Sequence, residues 1–166
     1  MGQRIFLALR SALYISVFTL LWLWLMPQWL NIRGSTDFPS QNPARWLGLV
    51  PLVPGAIIAI SCFVNFFSVG EGTPAPFDAP RNLVVSGPYR YVRNPMYVGA
   101  GLVLLGCAIL FAKFSGVLLG YALAIVVFVN LFVLFYEEPT LRSKFGAEYE
   151  EYCTNVRRWI PRIDAW

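Results

Sequence analysis

The sequence predicts an all-α integral membrane protein with about four transmembrane helices. Four segments contain no Asp, Glu, Lys or Arg: residues 11–30, 46–68, 95–112 and 116–136. Each is close to the roughly 20 apolar residues that a helix needs to cross the hydrocarbon core. Charged residues make up 13% of the chain, about half of the roughly 25% that is usual in soluble domains. Because the segments do not alternate apolar and polar residues as barrel strands do, each is predicted to be a helix.

The first segment is expected to stay in the membrane rather than to be cleaved as a signal peptide. Arg4 and Arg10 precede it, as basic residues precede the apolar part of a secretory signal. The apolar run is long and rich in tryptophan, however, and no small-x-small cleavage site follows it.

The basic residues predict that both termini face the cytoplasm. With four spans, the N-terminus, the loop at 69–94 and the C-terminal tail share one side, which carries ten of the thirteen Lys and Arg residues. The opposite side carries Arg33, Arg45 and Lys113. Cytoplasmic loops of membrane proteins are enriched in Lys and Arg. Basic residues beside anionic headgroups explain the net charge of +4 without a nucleic-acid partner.

The polar chemistry is concentrated in the second part of the chain. We expect an N-terminal part, 1–68, with the first two helices, and a second part, 69–166, with a long loop, two helices and the tail. The sequence has no histidine, and its three cysteines lack the spacing of zinc ligands or of a disulfide framework. Any catalysis is therefore left to Glu, Asp, Arg, Tyr or backbone groups, and no metal is expected.

The loop at 69–94 is predicted to be functional, because it is long and combines Gly and Pro with Arg and Tyr. Gly87-Pro88 predicts a turn, and Pro95 suits the first turn of the third helix. Arg90 and Arg93 therefore precede a helix N-terminus, where backbone N–H groups and the helix dipole favour anions. The alternative is that both arginines only anchor the chain at lipid headgroups.

The third and fourth helices are predicted to form a tight antiparallel hairpin, because only residues 113–115 separate them. Small residues would allow close approach of the two backbones; they are Gly99, Gly101, Gly106, Gly116 and Gly120. The hairpin places the start of the third helix beside the end of the fourth, which is predicted to end in Glu137-Glu138-Pro139. Two carboxylates at a helix C-terminus oppose the helix dipole. A cationic partner is expected there, either Arg90, Arg93 or a ligand, unless the glutamates only mark the exit from the bilayer.

The tail is predicted to form an amphipathic cytoplasmic helix. Leu141, Phe145, Tyr149 and Tyr152 recur at helical spacing with charged residues between them. Such a helix either covers a cytoplasmic pocket or packs on the bilayer. The run at 157–161, which contains two arginines and a tryptophan, is interpreted as an interfacial anchor.

Three ordered motifs resemble the isoprenylcysteine carboxyl methyltransferase and phospholipid methyltransferase superfamily. They are Gly87-Pro88-Tyr89-Arg90-Tyr91-Val92-Arg93-Asn94-Pro95-Met96-Tyr97-Val98-Gly99, Glu137-Glu138-Pro139-x-Leu141, and Phe145-Gly146-x-Glu148-Tyr149-x-x-Tyr152. The resemblance covers roughly residues 70–162, and the first two helices carry no such signature.

The resemblance implies a multi-pass membrane methyltransferase that uses S-adenosyl-L-methionine, with residues 69–166 as its core. The implied site lies at the cytoplasmic ends of the last two helices and is closed by the tail. Its implied cofactor-binding residues are Gly87, Pro88, Tyr89, Arg93, Asn94, Pro95, Tyr97, Glu137, Glu138, Leu141 and Tyr149, and its implied catalytic residues are Arg90, Arg93 and Glu138. Glutamate suits the cofactor's ammonium and hydroxyls, arginine its carboxylate, and tyrosine faces its cationic groups.

The implied acceptor is an amphipathic lipid or a prenylated small molecule. Many carboxyl methyltransferases of the superfamily have Arg-His-Pro where this chain has Arg93-Asn94-Pro95, and Asn-Pro-Met-Tyr is more similar to the phosphatidylethanolamine N-methyltransferases. A carboxylate acceptor needs no base, whereas an amine must lose a proton, which a glutamate can accept. The residues leave both acceptors open, as they do the oligomeric state.

Two other functions are alternatives. An NADPH-dependent membrane reductase of the sterol reductase type looks similar in its C-terminal half, but usually has an Arg-Asp-Glu-x-Arg motif where this chain has Glu137-Glu138-Pro139-Thr140-Leu141. A non-catalytic membrane scaffold would have no specific need for the Gly87–Tyr97 motif. A transporter is disfavoured because the predicted spans carry no charge at the membrane midplane, where coupling sites usually lie.

Overall fold

A computed structural model of the chain describes residues 43–69, 81–111 and 116–166, together with Leu13, Ser16, Val17, Leu20 and Leu21. Every regular element in the three described ranges is helical. The predicted first membrane helix, 11–30, lies almost entirely outside the described residues, as do positions 70–80 of the long loop and the connection at 112–115. The predicted number of four spans therefore remains a prediction.

Two described stretches are long and apolar enough to cross a membrane, Pro43–Phe66 and Leu119–Phe145. The first consists of a 3₁₀-helix, Pro43–Gly48, followed by helix α1, Leu49–Ser68. Helix α2, Pro95–Phe111, is shorter, with 17 residues. At 1.5 Å per residue it covers about 26 Å, slightly less than the roughly 30 Å of a typical hydrocarbon core. The helices predicted at 46–68 and 95–112 are therefore confirmed, as α1 and α2.

Helix α2 touches α1 and the 3₁₀-helix before it through glycines that are spaced seven residues apart on each side of the contact. A Cβ atom added to Gly99 would lie 2.9 Å from the carbonyl oxygen of Gly55, and one added to Gly106 would lie 2.6 Å from that of Gly48. Seven residues are close to two helical turns, so the two glycines of each helix share one face. The pairing Gly99–Gly55 and Gly106–Gly48 makes the helices antiparallel and brings their backbones into contact.

This contact corrects the predicted tight hairpin between the third and fourth helices. Among the described residues α2 packs on α1 and on the 3₁₀-helix before it, and not closely on helix α3, Gly116–Phe132. No described atom lies within 4 Å of a Cβ built at Gly101 or Gly120. Gly99 and Gly106 instead face α1 and its preceding 3₁₀-helix, where Gly55 and Gly48 present the same spacing among the described residues.

The helix that begins with α3 does not end at Glu137-Glu138-Pro139 as predicted, which is a second correction. It continues through a π-helical turn, Val133–Glu137, into α4, Glu138–Phe145. Pro139 lacks an N–H group, and in a regular α-helix its ring would clash with the carbonyl four residues earlier. The wider turn before Pro139 relieves this clash and lets the helix continue. Glu137 and Glu138 therefore lie within a continuous helix and do not oppose the dipole of a helix end.

The predicted single amphipathic helix of the tail is divided in two. Helix α4 ends at Phe145 and is followed by Gly146, whose φ of +52° favours glycine, and α5 spans Ala147–Asn155. The apolar face is nevertheless continuous across the break. A single buried cluster contains Tyr149 and Tyr152, and its members from the rest of the tail and the loop are Leu83, Val85, Leu141, Phe145, Cys153, Val156 and Trp166. The apolar face of the tail therefore packs on the apolar run of the loop that contains Leu83 and Val85.

Candidate functional site

The predicted turn at Gly87-Pro88 is present and is built against α1. Residues Gly87–Arg90 form one 3₁₀ turn, and Gly87 has a φ of +57°. A Cβ atom at Gly87 would lie 2.6 Å from Nδ2 of Asn65. Ser86 Oγ donates a hydrogen bond of 2.6 Å to Oδ1 of Asn65. Asn65, which the sequence did not single out, therefore fixes the turn to a helix outside the recognised motifs.

Tyr89 connects this turn to the tail. Its buried ring packs edge-on against Phe66, with 5.6 Å between centroids, and belongs to a cluster with Cys62 and Val84. The carbonyl oxygen of Tyr89 accepts a buried hydrogen bond of 2.7 Å from the hydroxyl of Tyr152. Burial raises the pKa of Tyr152, so its hydroxyl stays protonated and remains a donor.

Glu138 is the centre of a cluster of charges. Its side chain is 2% exposed, and Arg158 binds it with two hydrogen bonds, from Nε to Oε1 at 2.7 Å and from Nη2 to Oε2 at 2.8 Å. Arg93 Nη2 lies 3.3 Å from Oε1, and Arg142 Nη1 lies 3.9 Å from Oε2. We call these four residues the Glu138 cluster. A buried carboxylate without such partners would be strongly destabilising.

Glu137 has a separate partner. The hydroxyl of Tyr97, in the first turn of α2, donates a hydrogen bond of 2.8 Å to Oε2 of Glu137. The ring of Tyr97 packs edge-on against Trp159 at 6.4 Å, and Trp159 Nε1 donates to Oδ1 of Asn130 at 3.1 Å. The start of α2 thus meets the glutamates, as the sequence predicts, although the two helices do not pack closely along their length.

The end of the chain runs alongside the segment before α2. Hydrogen bonds that join them include Arg93 N–H to the Arg157 carbonyl (2.9 Å), Arg162 N–H to the Tyr91 carbonyl (2.9 Å), Asn94 Nδ2 to the Arg158 carbonyl (3.2 Å) and Trp166 N–H to the Arg90 carbonyl (3.3 Å). The run at 157–161, which the sequence analysis interprets as an interfacial anchor, therefore packs on the Gly87–Gly99 motif.

The predicted site residues fall into three places. Gly87, Pro88 and Tyr89 form the turn on α1; Arg93, Asn94, Pro95, Tyr97, Glu137 and Glu138 meet around the start of α2; and Leu141 and Tyr149 lie in the tail cluster. The exposed side chain of Arg90 points elsewhere, since its Nε donates to the carbonyl of Trp166. Sequence analysis did not predict that Arg158 and Trp159 belong to the site. Their composition is typical of an interfacial anchor, and the 20 residues that separate Arg158 from Glu138 carry no periodic signal.

The arrangement suits a ligand that carries both signs of charge. Arg93 Nε is buried and has no hydrogen-bond partner among the described residues, so one donor remains for an anion. Arg93 Nη1 is engaged by the sulfur of Cys153. Beside it, Glu137 and the rings of Tyr97 and Trp159 provide a carboxylate and aromatic surfaces, which favour cations. In the described ranges no group of three or more His, Cys, Asp or Glu residues is placed to hold a metal ion.

Comparisons with known proteins agree with these motifs. A family model described as phospholipid methyltransferase matches residues 43–148. The protein-S-isoprenylcysteine O-methyltransferase of Schizosaccharomyces pombe is 40% identical over 81 residues, which cover 49% of this chain and 34% of that protein. The probable protein-S-isoprenylcysteine O-methyltransferases of Oryza sativa subsp. indica and japonica are 32% identical over 126 residues, 72% of this chain and 62% of each relative.

The chain spans less than two thirds of the length of these curated relatives. No solved structure shows significant similarity to it. The family match covers well over half of the chain and begins before α1, so it includes the glycine contact as well as the Glu138 cluster except Arg158. The chain belongs to the phospholipid methyltransferase family.

Proposed function

We propose that the chain is a multi-pass membrane methyltransferase that uses S-adenosyl-L-methionine and methylates an amphipathic, lipid-like acceptor on the cytoplasmic side. One observation carries the proposal. A buried carboxylate, Glu138, lies 3.3 Å from Arg93 and beside the Tyr97–Glu137 pair, within the residues that the family match covers. This combination provides anion-binding and cation-binding groups side by side.

The residues present fit the cofactor. Arg93, with its unpartnered buried Nε, is assigned to the cofactor's carboxylate. Glu137 is assigned to its ammonium or ribose hydroxyls, with Tyr97 and Trp159 beside its cationic groups. Gly87, Pro88, Tyr89, Asn94, Pro95, Leu141 and Tyr149 are proposed to shape the surrounding walls. When bound, the cofactor supplies an activated methyl group.

The protein's own contribution is then positioning and exclusion of water. Bound between the start of α2 and the tail, donor and acceptor are held at a fixed distance and orientation, which accounts for much of the acceleration in such a transfer. Glu138 orients Arg93 and is itself too buried to reach solvent. Arg90 is exposed at the end of the preceding 3₁₀ turn, and its Nε donates to the Trp166 carbonyl. We assign its other guanidinium donors to an anionic group of the acceptor. No metal is needed for this chemistry.

The membrane placement is supported by the two long apolar stretches and by their exposed surfaces. On the helix that contains α3, Leu119 is 74% exposed and Phe135 is 71% exposed. Side chains of this kind are stable in contact with lipid. Four spans with both termini in the cytoplasm remain the proposed topology, because that arrangement places most of the Lys and Arg residues on one side.

The acceptor is proposed to be lipid-linked. The named relatives are isoprenylcysteine O-methyltransferases, and the family description refers to phospholipids. Both classes present a polar group at the membrane surface and an apolar chain within the bilayer. For a carboxylate acceptor no base is required, and for an amine Glu137 is the carboxylate placed to accept the proton.

The test is calorimetric titration of the detergent-purified protein with S-adenosylhomocysteine, with NADPH in parallel. We expect saturable binding of the first and none of the second. Glu138→Gln should abolish binding, whereas the matched variant Glu151→Gln, at an exposed acid, should bind as the wild type does. Binding of NADPH alone, or equal binding by Glu138→Gln, would contradict the proposal.

Methyl transfer to a prenylated cysteine and to phosphatidylethanolamine vesicles, assayed separately with labelled S-adenosyl-L-methionine, then identifies the acceptor class. Product in neither assay, with cofactor binding intact, would limit the proposal to the cofactor.

A further inference from the structure

Arg158 lies ten residues beyond the end of the family match, at residue 148, yet it makes the shortest contacts in the Glu138 cluster. We propose that Arg158 is a positioning residue for methyl transfer, which holds Glu138 and, through it, the cofactor-binding side chain of Arg93. This inference rests on the proposed function.

The geometry of the contacts supports a dominant role for Arg158. Its Nε and Nη2 meet the two oxygens of Glu138 at 2.7 and 2.8 Å, whereas Arg93 approaches Oε1 only to 3.3 Å and Arg142 approaches Oε2 only to 3.9 Å. Two parallel N–H···O bonds determine both the position and the plane of a carboxylate. A single longer contact such as that of Arg93 does not. Arg158 therefore sets where Oε1 lies, and Arg93 adjusts to it.

The backbone around Arg158 is hydrogen-bonded to the segment before α2, which contains Arg93 and Asn94. The carbonyl of Arg158 accepts a hydrogen bond of 3.2 Å from Nδ2 of the buried Asn94, and the carbonyl of Arg157 accepts one of 2.9 Å from the Arg93 N–H. A closed ring results, from Asn94 to Arg158, to Glu138, to Arg93 and back along the backbone. A closed ring with two backbone attachments restricts the Arg93 side chain more than any one of its contacts would.

Loss of Arg158 would change the charge balance around Arg93. Glu138 is 2% exposed and Arg93 is 11% exposed, so neither can exchange a lost partner for bulk water. Without this pair of hydrogen bonds from Arg158, which we call the fork, the carboxylate of Glu138 would draw the Arg93 side chain into the position that Arg158 leaves. Arg93 Nε, the buried donor left for an anion, would then be used within the protein. Cofactor binding would weaken although Arg158 itself does not contact the cofactor.

The experiment compares two adjacent arginines that differ in their contacts. Arg158→Gln, Arg158→Lys and the matched control Arg157→Gln, whose side chain is exposed, are titrated with S-adenosylhomocysteine, and their thermal unfolding is recorded. We expect Arg157→Gln to keep wild-type affinity, and Arg158→Gln to bind about tenfold more weakly. Arg158→Lys should fall between them, because an ammonium keeps the charge and loses the fork.

A double-mutant cycle with Glu138→Asp distinguishes positioning from direct contact or from a purely structural role. If Arg158 acts through Glu138, the loss caused by Arg158→Gln should shrink to about twofold or less when Glu138 is already shortened. Full additivity would mean that Arg158 contacts the ligand directly and would overturn the inference. So would unchanged affinity with a lowered unfolding temperature, which is the result of a structural role alone.

The wild-type titration separates this inference from the proposed function. Absence of binding by the wild-type protein refutes the methyltransferase proposal, and the role of Arg158 with it. Binding by the wild type and equal binding by Arg158→Gln refutes only the role of Arg158. If Arg158→Gln fails to fold, Arg158→Lys provides the decision, and wild-type affinity in that variant would contradict the need for a fork.

Discussion

The glycine contact between α1 and α2 and the Glu138 cluster show two ways of holding helices in an apolar chain. The first uses the absence of side chains: backbones meet at Gly99–Gly55 and at Gly106–Gly48, and the contact depends on shape. The second uses charge: a buried carboxylate joins arginines from the segment before α2, from α4 and from the end of the chain. A shape contact is sensitive to any added atom, whereas a charge cluster is sensitive to the loss of one partner.

The largest effect is expected for Gly106→Leu. Its Cβ atom would lie 2.5 Å from Cβ of Leu52 and 2.6 Å from the carbonyl oxygen of Gly48, so the helices must separate. We expect the free energy of unfolding to fall by about 3 kcal/mol or more, measured by thermal or denaturant unfolding in detergent. Gly101→Leu is the control, because no described atom lies near its Cβ. Equal losses in both variants would disprove the shape contact.

A smaller loss is expected for Glu138→Gln, which leaves the surrounding arginines without a counter-charge. We expect a decrease of about 2–3 kcal/mol in the free energy of unfolding. Glu137→Gln should lose about 1 kcal/mol or less, because an amide oxygen can still accept the Tyr97 hydrogen bond. The two adjacent acids, measured under the same conditions, test whether charge or hydrogen bonding dominates. A larger loss of unfolding free energy in Glu137→Gln than in Glu138→Gln would contradict the view that the charge of Glu138 stabilises the fold more than the hydrogen bond of Glu137.

Tyr152→Phe removes the hydroxyl that links the tail to the Gly87 turn. The Tyr89 carbonyl loses a buried donor at 2.7 Å, and we expect a loss of about 1 kcal/mol. Tyr91→Phe, at a 41% exposed ring, should have little effect. An equal loss in the two variants would show that the link contributes nothing specific.

The same hydroxyl predicts a pH dependence. Burial raises the pKa of Tyr152, so its contribution is fully present below the pKa of the unfolded chain, about 10, and is lost as the pH rises beyond it. The decrease in unfolding temperature above about pH 10 should therefore be shallower in Tyr152→Phe than in the wild type. Identical slopes would mean that Tyr152 ionises as freely in the folded protein as in the unfolded chain.

The smallest effect is expected for Ser86→Ala. It removes the 2.6 Å hydrogen bond to Asn65 Oδ1 and should lower the free energy of unfolding by about 0.5–1 kcal/mol. Ser68→Ala, which removes only an exposed bond to the Val64 carbonyl, is the control. If Ser86→Ala also weakens S-adenosylhomocysteine binding, the anchoring of the turn on α1 extends to the proposed site.

Much of the local structure could be predicted because its causes are local. Apolar runs predict α1 and α2, Gly87 and Pro88 predict the turn, and the spacing of Leu141, Phe145, Tyr149 and Tyr152 predicts a shared face, which survives the break at Gly146. The predicted end of the fourth helix at Glu137-Glu138-Pro139 is wrong, because a proline usually stops a helix and no sequence pattern indicates the π-helical turn before Pro139.

By itself the sequence predicted the helices α1 and α2, the residue types that are available for chemistry, and that the start of α2 lies beside the two glutamates. Only the tertiary structure decided that Gly99 and Gly106 face α1, that Glu137 and Glu138 take different partners, and that Arg158 completes the cluster. Helix formation and turn chemistry depend on neighbours within a few residues. The choice of a packing face or an ionic partner depends on how distant segments are placed, and a single sequence contains no periodic signal of that placement.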